Sequence, residues 1–162
     1  MSSLMTHIED APAFSAQDAL GQLAGLDVSM IRLKLADPHE GKGWDDAQLD
    51  LAEQEYRRFL ALQLMHPTTE VVPCHLVDEI WHQHILDTHA YAEDCQRIVG
   101  FFLHHFPYFG MRGEQDAADL MDAYGSTLDR YQRNFGEPPA GVWRPEQSTS
   151  CGRKNCKPQK CK

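Results

Sequence analysis

The run from Pro73 to Gly110, PCHLVDEIWHQHILDTHAYAEDCQRIVGFFLHHFPYFG, decides the fold and holds most of the chemistry. It carries six of the nine histidines and two of the five cysteines of the 162-residue chain. Pro73 is a residue tolerated at the first turn of a helix, so a helix is predicted to begin near Cys74. At about 100° per residue, Leu76, Val77, Ile80 and Trp81 form one apolar face, with His84 in its middle. Asp78, His82 and His89 fall within about 40° of one another on a different face, with His75 beside them. Asp78 and His82 stand one turn apart, so both can reach a single point. Two ligands from consecutive turns of a helix are a common start for a metal site, and the rest come from elsewhere. A carboxylate with neutral imidazoles suits zinc, iron, manganese or nickel better than copper(I).

Asp87-Thr88 reads as a break, either residue capping a second helix that runs through Gly100 or beyond. There Tyr91, Cys95, Ile98, Phe102 and His105 recur at three- and four-residue steps, which makes His105 the end of an inward stripe. His104 is turned about 100° away. If the helices fold back on each other, His105 meets Asp78 and His82; in one unbroken helix His89 would join them instead. The break is the preferred reading. The candidate ligands are Asp78, His82 and His105, followed by His104 and His84. Plainer roles stand beside these. His84 fits a hydrogen-bonded core histidine, Cys74 and Cys95 fit small buried apolar residues, and Asp78 fits a partner for the helix dipole. His75 and His89 fit solvent-exposed positions.

The segment VDEIWHQHILDTHAYAEDCQRIVGFFLHHFPYFG resembles the core motif of the glycine-rich-domain-protein-like family of bacteria and plants. The likeness rests on Val77, Asp78, Trp81, His82, His84, Tyr91, Asp94, Cys95, Gly100 and His105. FGEPPAGVW at 135–143 is similar to the corresponding later segment of bacterial members, so the likeness spans about residues 45–143. No glycine-rich region is present, and the resemblance implies no particular reaction.

The length suits one core better than two domains. Hydrophobic residues make up 42% and charged residues 24%, ordinary for a globular chain. MSSLMTHIEDAPAF lacks a basic region followed by an apolar run, and no stretch approaches the length of a membrane span. With five cysteines and no secretion signal, a reducing cytoplasm is expected.

Ser15 and Asp18 suggest a capped helix start, with Leu20 and Leu23 inward and Gly25 at its end. Asp27 caps a second short helix, carrying Met30, Ile31, Leu33 and Leu35, that stops before Pro38. Asp45 with Gln48 forms a capping box, and Trp44 and Leu49 are spaced as a hydrophobic staple. Leu49, Ala52, Tyr56, Phe59 and Leu60 make the buried stripe of that helix, while Glu53, Glu55, Arg57 and Arg58 face water. A final helix from Asp116 carries Ala117, Leu120, Met121, Tyr124, Leu128, Tyr131 and Phe135, and ends at Gly136. No alternating pattern persists. The expected fold is all-α, a single compact domain of five or six helices over residues 1–143, followed by a basic tail at 144–162.

Residues 1–143 hold nine Lys/Arg against 23 Asp/Glu, a net of −14, whereas 144–162 hold six against one, a net of +5. The acidic body disfavours nucleic acid. The tail, RPEQSTSCGRKNCKPQKCK, is too polar to build a core and places Cys151, Cys156 and Cys161 at an even C-x4-C-x4-C spacing. Thiols among lysines and arginines favour thiolates able to hold zinc or copper(I). A disulfide switch, a substrate for a modifying enzyme, a docking segment for a protein partner and a plain reactive tail are alternatives.

Three functions are compatible with these residues. The first is a metal-binding or metal-handling protein with zinc or iron at the helical site. The second is a small zinc- or iron-dependent hydrolase or oxidase, with Glu79, Asp94 or Tyr91 for proton transfer. The third is a metal-free interaction module whose tail carries the activity.

Overall fold

The computed structural model describes residues 11–144. Among them six α-helices form and no strand. They are α1 (Ala16–Gln22), α2 (Ser29–Ala36), α3 (Asp46–Met65), α4 (His75–Leu86), α5 (Thr88–Asp94) and α6 (Glu114–Phe135). A 3₁₀ turn, Leu23–Gly25, closes α1, and a π turn, Cys95–Val99, extends α5. The all-α expectation holds. Cys151, Cys156 and Cys161 lie outside the described residues.

The helix α3 is the central element, packing against α1, α2, α4 and α6. Its start is fixed locally: Gln48 N donates to Asp45 Oδ1 at 2.9 Å, and Asp45 N donates to Gln48 Oε1 at 3.0 Å. Two otherwise orphaned amides are thereby satisfied. Its end falls at His66, where Pro67 disfavours another helical residue. Leu49, Ala52, Tyr56, Phe59 and Leu60 are all buried, as their spacing requires. Around them close Leu23, Leu35, Val77, Ile80, Leu120, Tyr124 and Tyr131. Each such side chain contributes about 1.5–3 kcal/mol by leaving water.

The remaining boundaries are set by single residues. Ser15 Oγ accepts from Asp18 N at 3.1 Å and starts α1. Helix α2 begins two residues after Asp27, whose carboxylate accepts from Ser29 N at 2.9 Å, and Met30 and Leu33 on it are exposed. Helix α6 begins at Glu114 rather than Asp116, because Asp116 is committed to Gly110 N, Arg112 N and the Arg112 guanidinium.

Two expectations are corrected. Glu55 does not face water; it is 0% exposed. Its Oε2 accepts from Tyr131 Oη at 2.8 Å and Trp143 Nε1 at 2.7 Å, and its Oε1 from Arg58 Nη1 at 3.0 Å. Four donors, counting Gln54 Nε2 at 3.2 Å, replace the water a buried carboxylate loses.

The second correction concerns the helix after Asp87. It ends at Gly100, whose φ of 89° is left-handed and strained for any side chain. Gly100 N donates to Cys95 O at 2.8 Å, completing the π turn, and Gln22 Nε2 donates to Ile98 O at 2.6 Å from the end of α1. Phe102 therefore lies off the helix and is exposed, and His105 is presented by an irregular segment.

Candidate metal centre

Asp78 and His82 sit on the face of α4 that their four-residue spacing assigns them. The break at Asp87 is real. The residue leaves helical geometry at φ −82° and ψ 75°, and its carboxylate accepts from Ala90 N, so the chain turns back. The segment after Gly100 then brings His105 to the same point. His105 Nε2 lies 2.9 Å from Asp78 Oδ1 and 3.1 Å from His82 Nε2, and His82 Nε2 lies 3.6 Å from Asp78 Oδ1. Among the described residues, this is the group of acidic, histidine or cysteine side chains whose ligand atoms converge closely enough to hold an ion.

The triangle has the dimensions of a coordination face. Ligands about 2.05 Å from zinc stand about 3.3 Å apart in a tetrahedron and about 2.9 Å apart at octahedral right angles. The observed edges of 2.9, 3.1 and 3.6 Å straddle these values. A neutral imidazole offers a lone pair on one ring nitrogen and a carboxylate offers two oxygens, so each of the three groups can serve as a ligand.

Burial grades across the site. The Asp78 side chain is 4% exposed, that of His105 11% and that of His82 32%, so the group opens to solvent on the His82 side. Desolvation is the chief influence on His82 and lowers its pKa from the usual imidazole value; Asp78 opposes this and His105 adds to it. A lowered value keeps the imidazole neutral, the form that ligates metal.

Two residues outside the triad hold His105 in place, and sequence spacing identified neither in that role. The Tyr91 hydroxyl donates to the Leu103 carbonyl, two residues before His105, and accepts from Trp81 Nε1 at 3.0 Å. The Trp81 ring packs 4.5 Å from that of His105. Burial raises the pKa of Tyr91 and keeps the phenol a donor. Replacing Tyr91 with phenylalanine is expected to cost about 1–2 kcal/mol of stability. Zinc affinity, measured by chelator competition, is expected to fall about 10–100-fold, the range for a second layer of support.

The other candidates fall elsewhere. His84 is buried and fully engaged: Nε2 faces Asp94 Oδ2 at 3.0 Å, so Nδ1 accepts from the Tyr56 hydroxyl at 2.8 Å. With both nitrogens committed it lies outside the triad, as a buried, hydrogen-bonded histidine. Asp94 is held by this pair and by Arg97, away from the triad. His104 is exposed, with its ring 4.8 Å from Phe102, and does not converge on the site. His75 and His89 are exposed, and Glu79 is paired with Lys42 at 2.8 Å. Cys74 and Cys95 are buried, and burial pushes the Cys74 thiol up to about 12.

A cavity of about 160 Å³ adjoins the site, lined in part by Gln63, Glu70, Trp81, His104 and His105. Asp78 and His82 do not line it, so it meets the triad across the His105 ring.

Burial also lowers the pKa of His84 from its usual 6.5, with Asp94 opposing. Below that pH the unfolded chain binds a proton that the folded chain resists. Stability is therefore full above pH 6.5 and falls as pH drops toward the folded value. The expected slope is at most about 1.4 kcal/mol per pH unit for this histidine. Urea unfolding at a series of pH values checks it, and His84→Gln should make the fall shallower.

No curated protein and no solved structure matches the chain. A family model described as UCP032817-like matches residues 29–125, a span that holds Asp78, His82 and His105. That span is more than half of the 162 residues, and the chain is a member of the UCP032817-like family.

Proposed function

We propose that this protein binds one divalent transition ion, zinc or iron, through Asp78, His82 and His105, and that it holds or hands on that ion. The observation that carries the reading is the convergence of three ligand atoms, from α4 and the segment after Gly100, within 3.6 Å. A carboxylate with two imidazoles is a donor set that suits zinc or iron. The C-x4-C-x4-C tail, with Cys151, Cys156 and Cys161, supplies exchangeable thiolates for transfer. Residence in the cytoplasm suits those thiols, and among the described residues no helix is long and apolar enough to cross a membrane. The likeness to glycine-rich-domain proteins belongs to the same proposal.

A small zinc- or iron-dependent hydrolase or oxidase is the second reading. The cavity beside His105 favours it, since three protein ligands leave a position for water. At about 160 Å³ it admits a few waters or a very small substrate.

Metal analysis of the full chain after zinc loading and gel filtration tests the main reading. One zinc per chain is expected in the wild type and none in Asp78→Ala/His82→Ala. Wild-type protein that retains no metal, or a double variant that keeps its zinc, overturns it.

A further inference from the structure

We propose that the cavity beside His105 binds a small organic cation, a primary amine with an apolar body of about six heavy atoms. The inference goes beyond the metal reading and does not rest on it. Asp78 and His82 do not line the cavity, so the amine needs no ion.

The polar groups of one wall carry the inference. Gln63, near the end of α3, lines the cavity and is only 8% exposed. Its Nε2 donates to Val71 O at 3.4 Å, while its Oε1 accepts no hydrogen bond from another described residue. A buried acceptor without a donor is costly, so a ligand N–H that reaches it is favoured. Glu70 lines the same wall, one residue before Val71, and is exposed. Among the described residues its carboxylate has no ion-pair partner.

Charge selects the class of ligand. No lysine or arginine lines the cavity. The histidines aside, Glu70 sets the formal charge of the lining, within a body of net −14. That field draws a cation in and repels an anion. Arg112 lies 4.9 Å from the centroid of the Phe106 ring, at the rim. It does not line the cavity, however, and Asp116 matches its charge at 2.7 Å.

The remaining walls set the size and shape. Val72, Leu103 and Leu120 are buried, and Trp81 and Phe109 add aromatic surface. Aromatic rings hold an apolar body and also attract an ammonium group. A cavity of about 150 Å³ accepts a benzene ring, close to the 160 Å³ found here. The exposed rim at Glu70, His104 and Phe106 lets a charged head keep water on one side. An ammonium brings three N–H donors and no acceptor, which suits a carboxylate and an amide oxygen on one wall. An alcohol of the same shape brings one donor and no charge.

An NMR titration of the full chain with benzylamine, benzyl alcohol and benzoate tests this. A chelator is present throughout, so an amine that binds is not bound to a metal. Benzylamine is expected to bind with a Kd on the order of 1 mM, shifting the amides of Val72, Leu103 and Leu120 and the Gln63 side chain. Benzyl alcohol is expected to bind about tenfold more weakly. Benzoate is expected to give no shifts at the concentration that saturates benzylamine. Glu70→Lys changes an exposed side chain and spares the core. It is expected to weaken benzylamine about tenfold and to leave benzyl alcohol within about twofold. Benzylamine that leaves the cavity residues unshifted overturns the proposal, as does benzoate binding there equally well. Unchanged benzylamine affinity in Glu70→Lys overturns it too.

Discussion

Replacing Asp78 with asparagine is expected to weaken zinc binding by more than about 100-fold while leaving the helical content unchanged. Asparagine keeps the shape and one oxygen acceptor, so the contact with His105 Nε2, at 2.9 Å, persists and the core is not opened. What disappears is the negative charge, on a side chain 4% exposed. Unit charges about 4 Å apart attract by about 4 kcal/mol even at an effective dielectric near 20, and a divalent ion in direct contact feels more. A 100-fold loss corresponds to only about 2.7 kcal/mol. The effect should therefore exceed that of Tyr91→Phe, which acts on His105 through the backbone. Chelator competition on both variants gives the comparison. An Asp78→Asn protein within tenfold of the wild type would mean the carboxylate is not a ligand.

Replacing Trp143 with alanine is expected to be the most destabilising single change outside the Asp78, His82 and His105 group, at about 3–5 kcal/mol. The ring is 5% exposed and packs 5.2 Å from Tyr131 and 6.3 Å from Tyr124. Its Nε1 is also one of the four donors that keep the Glu55 carboxylate satisfied in a site without water access. Trp143→Phe separates the two contributions. Most of the packing survives, while the hydrogen bond to a charged acceptor is lost, so about 1.5–3 kcal/mol is expected. Denaturant unfolding of both variants gives the difference. A Trp143→Phe protein as stable as the wild type would mean that Glu55 draws little from the indole.

Much of the architecture was legible because its signals are local. The Asp45–Gln48 box, the Asp87 break and the Asp78–His82 spacing each depend on residues within one turn, and each appears as read. Glu55 was not legible. Its neighbours Glu53, Arg57 and Arg58 mark a wet face, and the partners that bury it, Tyr131 and Trp143, lie 76 and 88 positions away. His105 was found for a reason only partly right. A helical stripe pointed to it, yet the helix ends at Gly100, and the histidine arrives because Tyr91 holds Leu103. Nothing in a run of residues announces a bond between a phenol and a carbonyl twelve positions on. His84 sits in the apolar setting its spacing assigns, and both of its ring nitrogens have partners there.

The hydrogen bond from Gln22 to Ile98 links parts of the chain with different standing in the family. Gln22 precedes the span that the family model covers, whereas Ile98, the π turn and His105 all lie inside it. Widening a helix by one residue per turn leaves a carbonyl facing outward at its end, and here a side chain from the opening helix occupies that oxygen. The opening helix is thus an outrigger for the loop that bears His105. A deletion there would be felt at the candidate metal site without touching any residue of it.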